Sequence, residues 1–561
     1  MKRNGKLVSK KYLEFFIPTV LTAMATNLAS IVDAGIVGNL MDSTALSVIN
    51  ILLPVVQIYA ALGVLFGIAV SVIIASSRGR DGTDMATGNR AYTVVCVSTA
   101  AVSAVMIALQ LVFIDGITAL LTPVAELRPL LKQYYIPLIL GTPITLLMSS
   151  LVHIIRTDNR PQFATGIIIV SNVVNLILDI VFIKFLGLGL TGAALATVIG
   201  SVVGLGMVVS HFASKRCSVH WDSSVFKRSG GFFRCFTDVI ANGASGAIGM
   251  VLTTAKLLFL NLLIQNYGGK AGIVAFSAVS IFQILEGAFV SGGCQSMVPV
   301  VSLLYGEGDY GGVKMAFRKA MRILCVSCLA ITAVMEAFPE LAAAIYGITG
   351  AELTLAVKAI RICAPMLLGD ALTYLFIYLY MCTDNKTLSS AASAVNGIAL
   401  IIPTGLILAK LFGINGVWMA LPTAQYIALA LLLIAALALK KHKHADSIYL
   451  LDRSRDTEVT AFSVGADGYS PDEVRAEVAS KADGDTAEAV CGVLAVIADA
   501  AVSPRRSKNT DVRICRGNGY SALIKNSGAR LSEESFLPLM EKYPKLIYSE
   551  TIGFSQINVT L

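Results

Sequence analysis

Asn175 and Asp179 stand four residues apart in Asn172-Val-Val-Asn175-Leu-Ile-Leu-Asp179-Ile-Val-Phe-Ile183, so on a helix their side chains share one face. The flanking residues are apolar enough for that helix to lie in a bilayer. A carboxylate at such depth costs roughly 2.5–3.5 kcal/mol on insertion scales, which marks it as a candidate for ion or proton binding. Asp33 and Thr197 lie in two other apolar stretches and add a second carboxylate and a hydroxyl. The four side chains supply oxygen ligands suited to a hard cation such as Na+, or to a proton shared between two carboxylates.

Depth decides whether they meet. Asp179 lies about 18 residues, roughly 27 Å, from the cytoplasmic start of its span, and Asp33 about 21 residues, roughly 32 Å, from the start of the first. Thr197 lies a little under two turns from the outer start of the sixth. All three fall in the outer half of the bilayer, between helices one, five and six. The alternative is that Asp33 and Asp179 only bond nearby backbone at the outer interface.

The elements that must position them are membrane spans. The 561 residues are 55% hydrophobic and 14% charged, and long apolar stretches recur from Tyr12 to Leu439. Twelve spans are expected, at 12–39, 45–76, 91–114, 131–156, 162–184, 190–213, 236–264, 272–302, 314–338, 356–382, 387–409 and 415–439. Lys and Arg cluster before the first span and after every second one, as at Arg78, Arg156, Lys215, Lys314 and Lys440. That alternation places both termini in the cytoplasm and makes the chain a multi-pass protein of the inner (plasma) membrane. It also accounts for much of the net charge of +8, so nucleic acid is not an expected partner. Cys325-x-x-Cys328 lies in an apolar helix and reads as packing. The five histidines are scattered without metal-ligand spacing, and no catalytic constellation stands out.

The second half carries its own intramembrane charges. Asp370 lies midway along span ten, Glu286 in span eight and Lys256 in span seven. They read either as a substrate or coupling site or as local structural bonds. The aromatic run Tyr374, Phe376, Tyr378 and Tyr380 reads as core or lipid-facing surface. Pro54, Pro137, Pro143, Pro365, Pro403 and Pro422 permit bends in their spans.

A weak repeat relates the halves. Leu188-Gly-Leu-Thr-Gly192 matches Phe412-Gly-Ile-Asn-Gly416 at an offset of 224. Two six-span groups of like orientation form a transporter architecture with the substrate path between them. The offset pairs Asn172 with Asn396, which favours packing for Asn172. It pairs Asn175 with Ala399 and Asp179 with Pro403, so the polar pair belongs to the first half alone. The expected organisation is an N-terminal six-helix lobe (1–214), a linker (215–235), a C-terminal lobe (236–444) and a cytoplasmic α/β domain (445–561). In the last, Glu458–Val464 alternates like a strand, Ser470 and Asp485 look like helix starts, and Asp511–Ile524 reads as a hairpin around Gly517-Asn-Gly519. Leu546–Ser549 and Gln556–Leu561 read as two further strands.

Val32-Asp33-Ala-Gly-Ile-Val-Gly38, Asn175-x-x-x-Asp179 with Gly187-Leu-Gly-Leu-Thr-Gly192, and Asn415-Gly-Val-Trp-Met-Ala-Leu-Pro422 occur in order and resemble the multidrug and toxic compound extrusion (MATE) family over residues 8 to 440. The resemblance implies an all-α membrane protein of two six-helix bundles that exports organic molecules against Na+ or H+ influx. It places Asp33, Asn175, Asp179 and Thr197 on the family's N-lobe cation site and Asp370 on a carboxylate used in some subgroups. Gln425 departs from it, standing where many relatives carry an acid.

The tail, through Ile547-Tyr-Ser-Glu-Thr-Ile-Gly-Phe-Ser555, resembles the ATP-binding domain of histidine kinases and anti-sigma factors. Its helix 493–502 lacks the expected Glu and Asn, and Asn526-Ser527-Gly528 replaces an adenine-contacting Asp-x-Gly. No bound nucleotide is expected, and a regulatory protein or ligand is the implied partner. No cofactor is expected beyond the coupling ion. Two other readings stand beside export: a flippase of lipid-linked saccharides, which would want cavity Arg and Lys, and a membrane sensor driven through the tail.

Overall fold

The computed structural model describes residues 3–41, 43–80, 84–122, 124–214, 217–227, 231–341, 348, 350–442, 445, 447–451, 458–464, 470–500, 509–516, 520–527, 531–551 and 553–560. The N-terminal lobe contains α1 (Lys6–Leu40), α2 (Ser43–Arg80), α3 (Ala86–Val112), α4 (Leu127–Thr157), α5 (Pro161–Phe185) and α6 (Gly189–Phe212). A continuous run, Gly231–Gly306, follows. Its 76 residues would extend about 114 Å as one helix, far more than the roughly 30 Å core of a bilayer. Gly269, with φ 55° and ψ −149°, breaks it into α7 (231–268) and α8 (270–306). Only glycine adopts such a backbone readily, so this residue turns the chain back into the membrane. Then come α9 (Tyr310–Ala337), α10 (Glu352–Cys382), α11 (Lys386–Phe412) and α12 (Ile414–His442). Twelve spans thus stand among the described residues. α7 begins at Gly231, inside the segment expected to be linker.

The repeat shows in the backbone. Gly189 and Gly413, related by the offset of 224, both have positive φ (55° and 60°) and both open the last helix of their lobe. Proline shapes the second lobe. Pro365 lies at the break between Cys363 and Met366 within α10, and Pro403 stands in the first turn of Ile401–Phe412. Each lacks the N–H that a continuous helix needs at that point.

Residues 458–560 carry an antiparallel sheet of β1 (Glu458–Val464), β2 (Thr510–Arg516), β3 (Tyr520–Asn526), β4 (Leu546–Thr551) and β5 (Phe554–Thr560), in the order β1-β2-β3-β5-β4. The hairpin expected from Asp511 to Ile524 is present, closed by Arg516 opposite Tyr520. Its Gly517-Asn-Gly519 tip lies outside the described residues, as does Gly528. α13 (Pro471–Ala479) starts at Ser470 as expected, with the Ser470 hydroxyl accepting from the Glu473 N–H. α14 (Gly484–Asp499) has its cap two residues before the expected Asp485. Asp483 caps it, accepting from the Thr486 N–H at 2.8 Å, because Asp485 already lies in the first turn.

Strand alternation gives the sheet two uses. Phe462, Val512, Ile514, Ile524, Ile557 and Val559 form one core beneath α13 and α14. The opposite parity, Ser463, Asp511, Arg513 and Lys525, faces the membrane part. There Arg3 donates to both oxygens of Asp309 (2.7 and 2.8 Å) and to Asp511 Oδ2 (2.9 Å), with side chains 7%, 1% and 4% exposed. Burial pushes the Asp309 carboxyl up. The Arg3 guanidinium, with Arg513 and Lys525 behind it, outweighs burial and holds the carboxyl below the ordinary carboxylate range.

A depressed folded-state pKa contributes stability that is present above the unfolded pKa, near 4, and is lost as pH falls below it. Arg3→Met strips Asp309 of its bidentate partner, leaving only the more distant Arg513 and Lys525, and is expected to cost about 3 kcal/mol at pH 7. Thermal unfolding of both proteins should show that difference shrinking below about pH 4. A pH-independent difference would contradict the account.

Candidate functional site

In the N-terminal lobe, the carboxyl groups of Asp33 on α1 and Asp179 on α5 lie within hydrogen-bonding reach of each other once one is protonated. Asp179 is fully buried, and among the described residues neither of its oxygens receives a hydrogen bond. Directly after it, Val181–Phe185 is wound wider than an α-helix, with the Leu186 N–H reaching the Val181 carbonyl at 3.0 Å. Such turns are rare and collect at functional sites. One turn earlier Asn175 Nδ2 donates to Thr197 Oγ1 on α6 at a long 3.4 Å. Close packing allows this, since a Cβ at Gly200 would lie 3.1 Å from the Asn175 Cβ. The four expected residues therefore form two pairs on the same stretch of α5. Asn172, one turn further, buries an amide nitrogen with no partner among the described residues.

Tyr134 on α4 lies close enough to both carboxyls for their charges to act on it, and it was not among the residues expected from the sequence. It lies 23 residues from the far end of α4, roughly 35 Å along the axis, which is the depth of the carboxylates. The same depth arithmetic applied to α4 would have found it.

In the C-terminal lobe, Lys256, Glu286 and Asp370 line one cavity of about 330 Å3. Lys256 is 8% and Glu286 4% exposed, and Glu286 Oε1 has no partner among the described residues. Gln425 Nε2 donates to Asp370 Oδ1 at 2.6 Å, and Asn396 lies beside the same carboxyl. Asn396 sits in a second wide turn, Val395–Ala399. The expectation for the aromatic run needs correcting in part. Tyr374 and Tyr378 line the cavity, while Phe376 and Tyr380 are buried in the core. Residues 370, 374 and 378 recur every fourth position and share a helix face, a period that the alternation of aromatics at 374, 376, 378 and 380 hides.

Replacing Gln425 with Leu removes a hydrogen bond to a part-buried carboxylate. It should lower stability by about 1.5–3 kcal/mol, measured as thermal unfolding in detergent. No loss would mean that Asp370 is satisfied elsewhere.

The lobes meet on the side that carries the C-terminal sheet, the tail side. A Cβ at Gly243 of α7 would lie 2.0 Å from the Leu65 carbonyl oxygen of α2. One at Gly79 would lie 2.2 Å from the Leu303 oxygen, and one at Gly306 2.3 Å from the Ser76 oxygen. Tyr12 donates to the Gly293 carbonyl at 3.0 Å, and Arg156 to Gln295 at 2.9 Å. The hydrogen bond between lobes furthest from the tail side, among the described residues, is a long one from Asn27 to the Ile284 carbonyl (3.4 Å). These contacts close the seam on the tail side where α1 and α2 meet α7 and α8, while a cavity of about 790 Å3 lined by both lobes, through Arg80, Arg90, Asp238 and Asp384, remains beside them.

A profile of the MatE family matches residues 18–181 and 247–407, more than half of the chain. The chain belongs to the MATE family. This MATE protein is a multi-pass secondary transporter, as the ordered motifs implied. It is 24% identical over 433 residues to the multidrug export protein MepA of Staphylococcus aureus (strain NCTC 8325 / PS 47), covering 77% of this chain and 94% of the relative. It is also 24% identical over 451 residues to MepA of Staphylococcus saprophyticus, covering 79% and 97%. Among solved structures it shares the fold of a multidrug resistance MATE transporter in its outward-facing conformation, with a TM-score of 0.72, 19% identity, and 79% of this chain and 99% of that one covered. A MOP superfamily transporter from Pyrococcus furiosus, for which a reversed pocket polarity suggests a different function, superposes at 0.71 with 18% identity over 79% and 99%. The matched family residues end before the C-terminal sheet begins.

Proposed function

We propose that this MATE protein exports small organic molecules by alternating access, driven by Na+ or H+ moving inward through the Asp33/Asp179 site. The observation that carries this is the buried Asp179, whose oxygens lack a donor among the described residues while a second carboxylate faces it. A cation or a proton between the two carboxyls removes the repulsion that burial magnifies. Asn175, Thr197 and Tyr134 add neutral oxygens around it. Coupling follows if the cation and the organic substrate favour opposite states. The seam closed on the tail side fits the state that loads ions from the far side. The names of the MepA relatives support a drug-like substrate.

On this reading the tail side is the cytoplasm of a plasma-membrane protein, both termini lie there, and the chain catalyses no reaction. Lys256 and the carboxylates of the second lobe line a cavity with one cation against two acids, a balance suited to cationic organic substrates and opposed to a pyrophosphate. The tail needs no nucleotide on this reading: Asn526, at the place of an adenine contact, is buried and donates to Thr510 Oγ1 at 2.9 Å.

The test is uptake of a fluorescent organic cation into proteoliposomes under a pH gradient alone and a Na+ gradient alone. Accumulation under either gradient supports the proposal and names the ion. Accumulation that persists with both gradients collapsed overturns it.

A further inference from the structure

The C-terminal domain touches both lobes at once, on the side where they meet. Arg513 donates to the carbonyl oxygens of Glu307 and Gly308, at 2.8 and 2.6 Å, in the turn between α8 and α9, and Lys525 pairs with Glu307. That turn belongs to the C-terminal lobe. At the other end of the sheet, Gly553 packs so tightly on the α4–α5 turn that a Cβ there would lie 2.3 Å from the Asn159 side chain. That turn belongs to the N-terminal lobe. Next to it Phe554 is 1% exposed, and its ring lies 5.6 Å from Lys11 Nζ, which itself donates to Asn159 Oδ1 at 2.9 Å. Arg3 ties the assembly together, holding Asp309 of the turn and Asp511 of β2 at once.

Opening on the tail side carries the 307–309 turn away from Asn159. A rigid sheet fixed to both cannot follow both. The charged groups at stake are nearly free of water, so parting them strands buried charge, which is costly. We infer that the C-terminal domain is a latch: it holds the tail-side seam shut and must release one lobe before the transporter opens to that side. The inference rests on the alternating-access reading above. It gives the domain a conformational task that requires no nucleotide.

The experiment uses the full chain with Ala75→Cys, a site fully buried in the core shared by α2 and α8. Its alkylation by a membrane-impermeant maleimide applied from the tail side is read by peptide mass. Adding Arg513→Ala and Lys525→Ala should raise the labelling rate roughly tenfold or more, since several buried contacts to one lobe are lost. In a second variant, Gly553→Ala with Lys11→Ala loosens the attachment to the other lobe, because a Cβ at position 553 would lie 2.3 Å from the Asn159 side chain and Lys11 bonds Asn159 beside Phe554. It should raise labelling as well, since release of either lobe frees the seam. Unchanged labelling in both variants, while substrate turnover still exposes position 75, overturns the latch. Failure of turnover itself to expose position 75 would instead overturn alternating access.

Discussion

Asp179→Asn is expected to lower gradient-driven transport by roughly 100-fold or more while leaving the protein as stable as before, or more so. Asparagine keeps the shape of the side chain but neither titrates nor neutralises a cation. The ion would then bind both states equally, and a ligand without preference shifts no equilibrium. Stability should move the other way, because the mutation removes a charge whose burial costs roughly 2.5–3.5 kcal/mol on insertion scales. Asp33→Asn should resemble it, and the double variant should be little worse than either, since the carboxyls act as a unit. Efflux assays paired with thermal unfolding check both arms. Full gradient-driven transport by Asp179→Asn would remove the cation site from this lobe.

Gly243→Ala should also impair transport, less severely and by a different route. The added methyl would sit 2.0 Å from the Leu65 carbonyl, and backbone oxygen cannot rotate aside. α2 and α7 must part, at a cost of about 1–3 kcal/mol that falls only on the state closed toward the tail. Where two states differ by a few kcal/mol, that is enough to invert their populations. Transport should fall about tenfold, and alkylation at Ala75→Cys should rise as the seam loosens. Gly206→Ala is the control, because a Cβ there meets nothing within 4 Å. Equal behaviour of the two variants would show that the close approach of α2 and α7 carries no gating role.

Much of the fold is legible because bilayer insertion is a local, additive property. Each span is readable by itself from its apolar length, and the repeat follows from glycines such as Gly189 and Gly413 that need positive φ in both lobes. The turn at Gly269 is legible for the same reason. Boundaries were less so: α7 starts at Gly231 and α14 at its Asp483 cap, because capping choices among neighbouring acids depend on which backbone N–H lies in reach. Candidate residues were legible as costly groups at a common depth. Their partners were not, since depth gives height in the membrane and not azimuth. Tyr134 beside the carboxyls and Gln425 on Asp370 are set by how helices rotate against one another.

The sequence by itself determined the membrane class, the two six-span groups, the asymmetry of the Asp179 site and the strands of the tail. Each is written in hydrophobic length, charge order or strand alternation, which neighbours in the chain settle among themselves. Tertiary structure alone decided that Asp33 meets Asp179, that Lys256, Glu286 and Asp370 share a cavity, and that the tail bridges both lobes through Arg3, Arg513 and Lys525. Those contacts join residues as much as 508 positions apart. Their geometry depends on packing across the whole molecule, which no local pattern encodes.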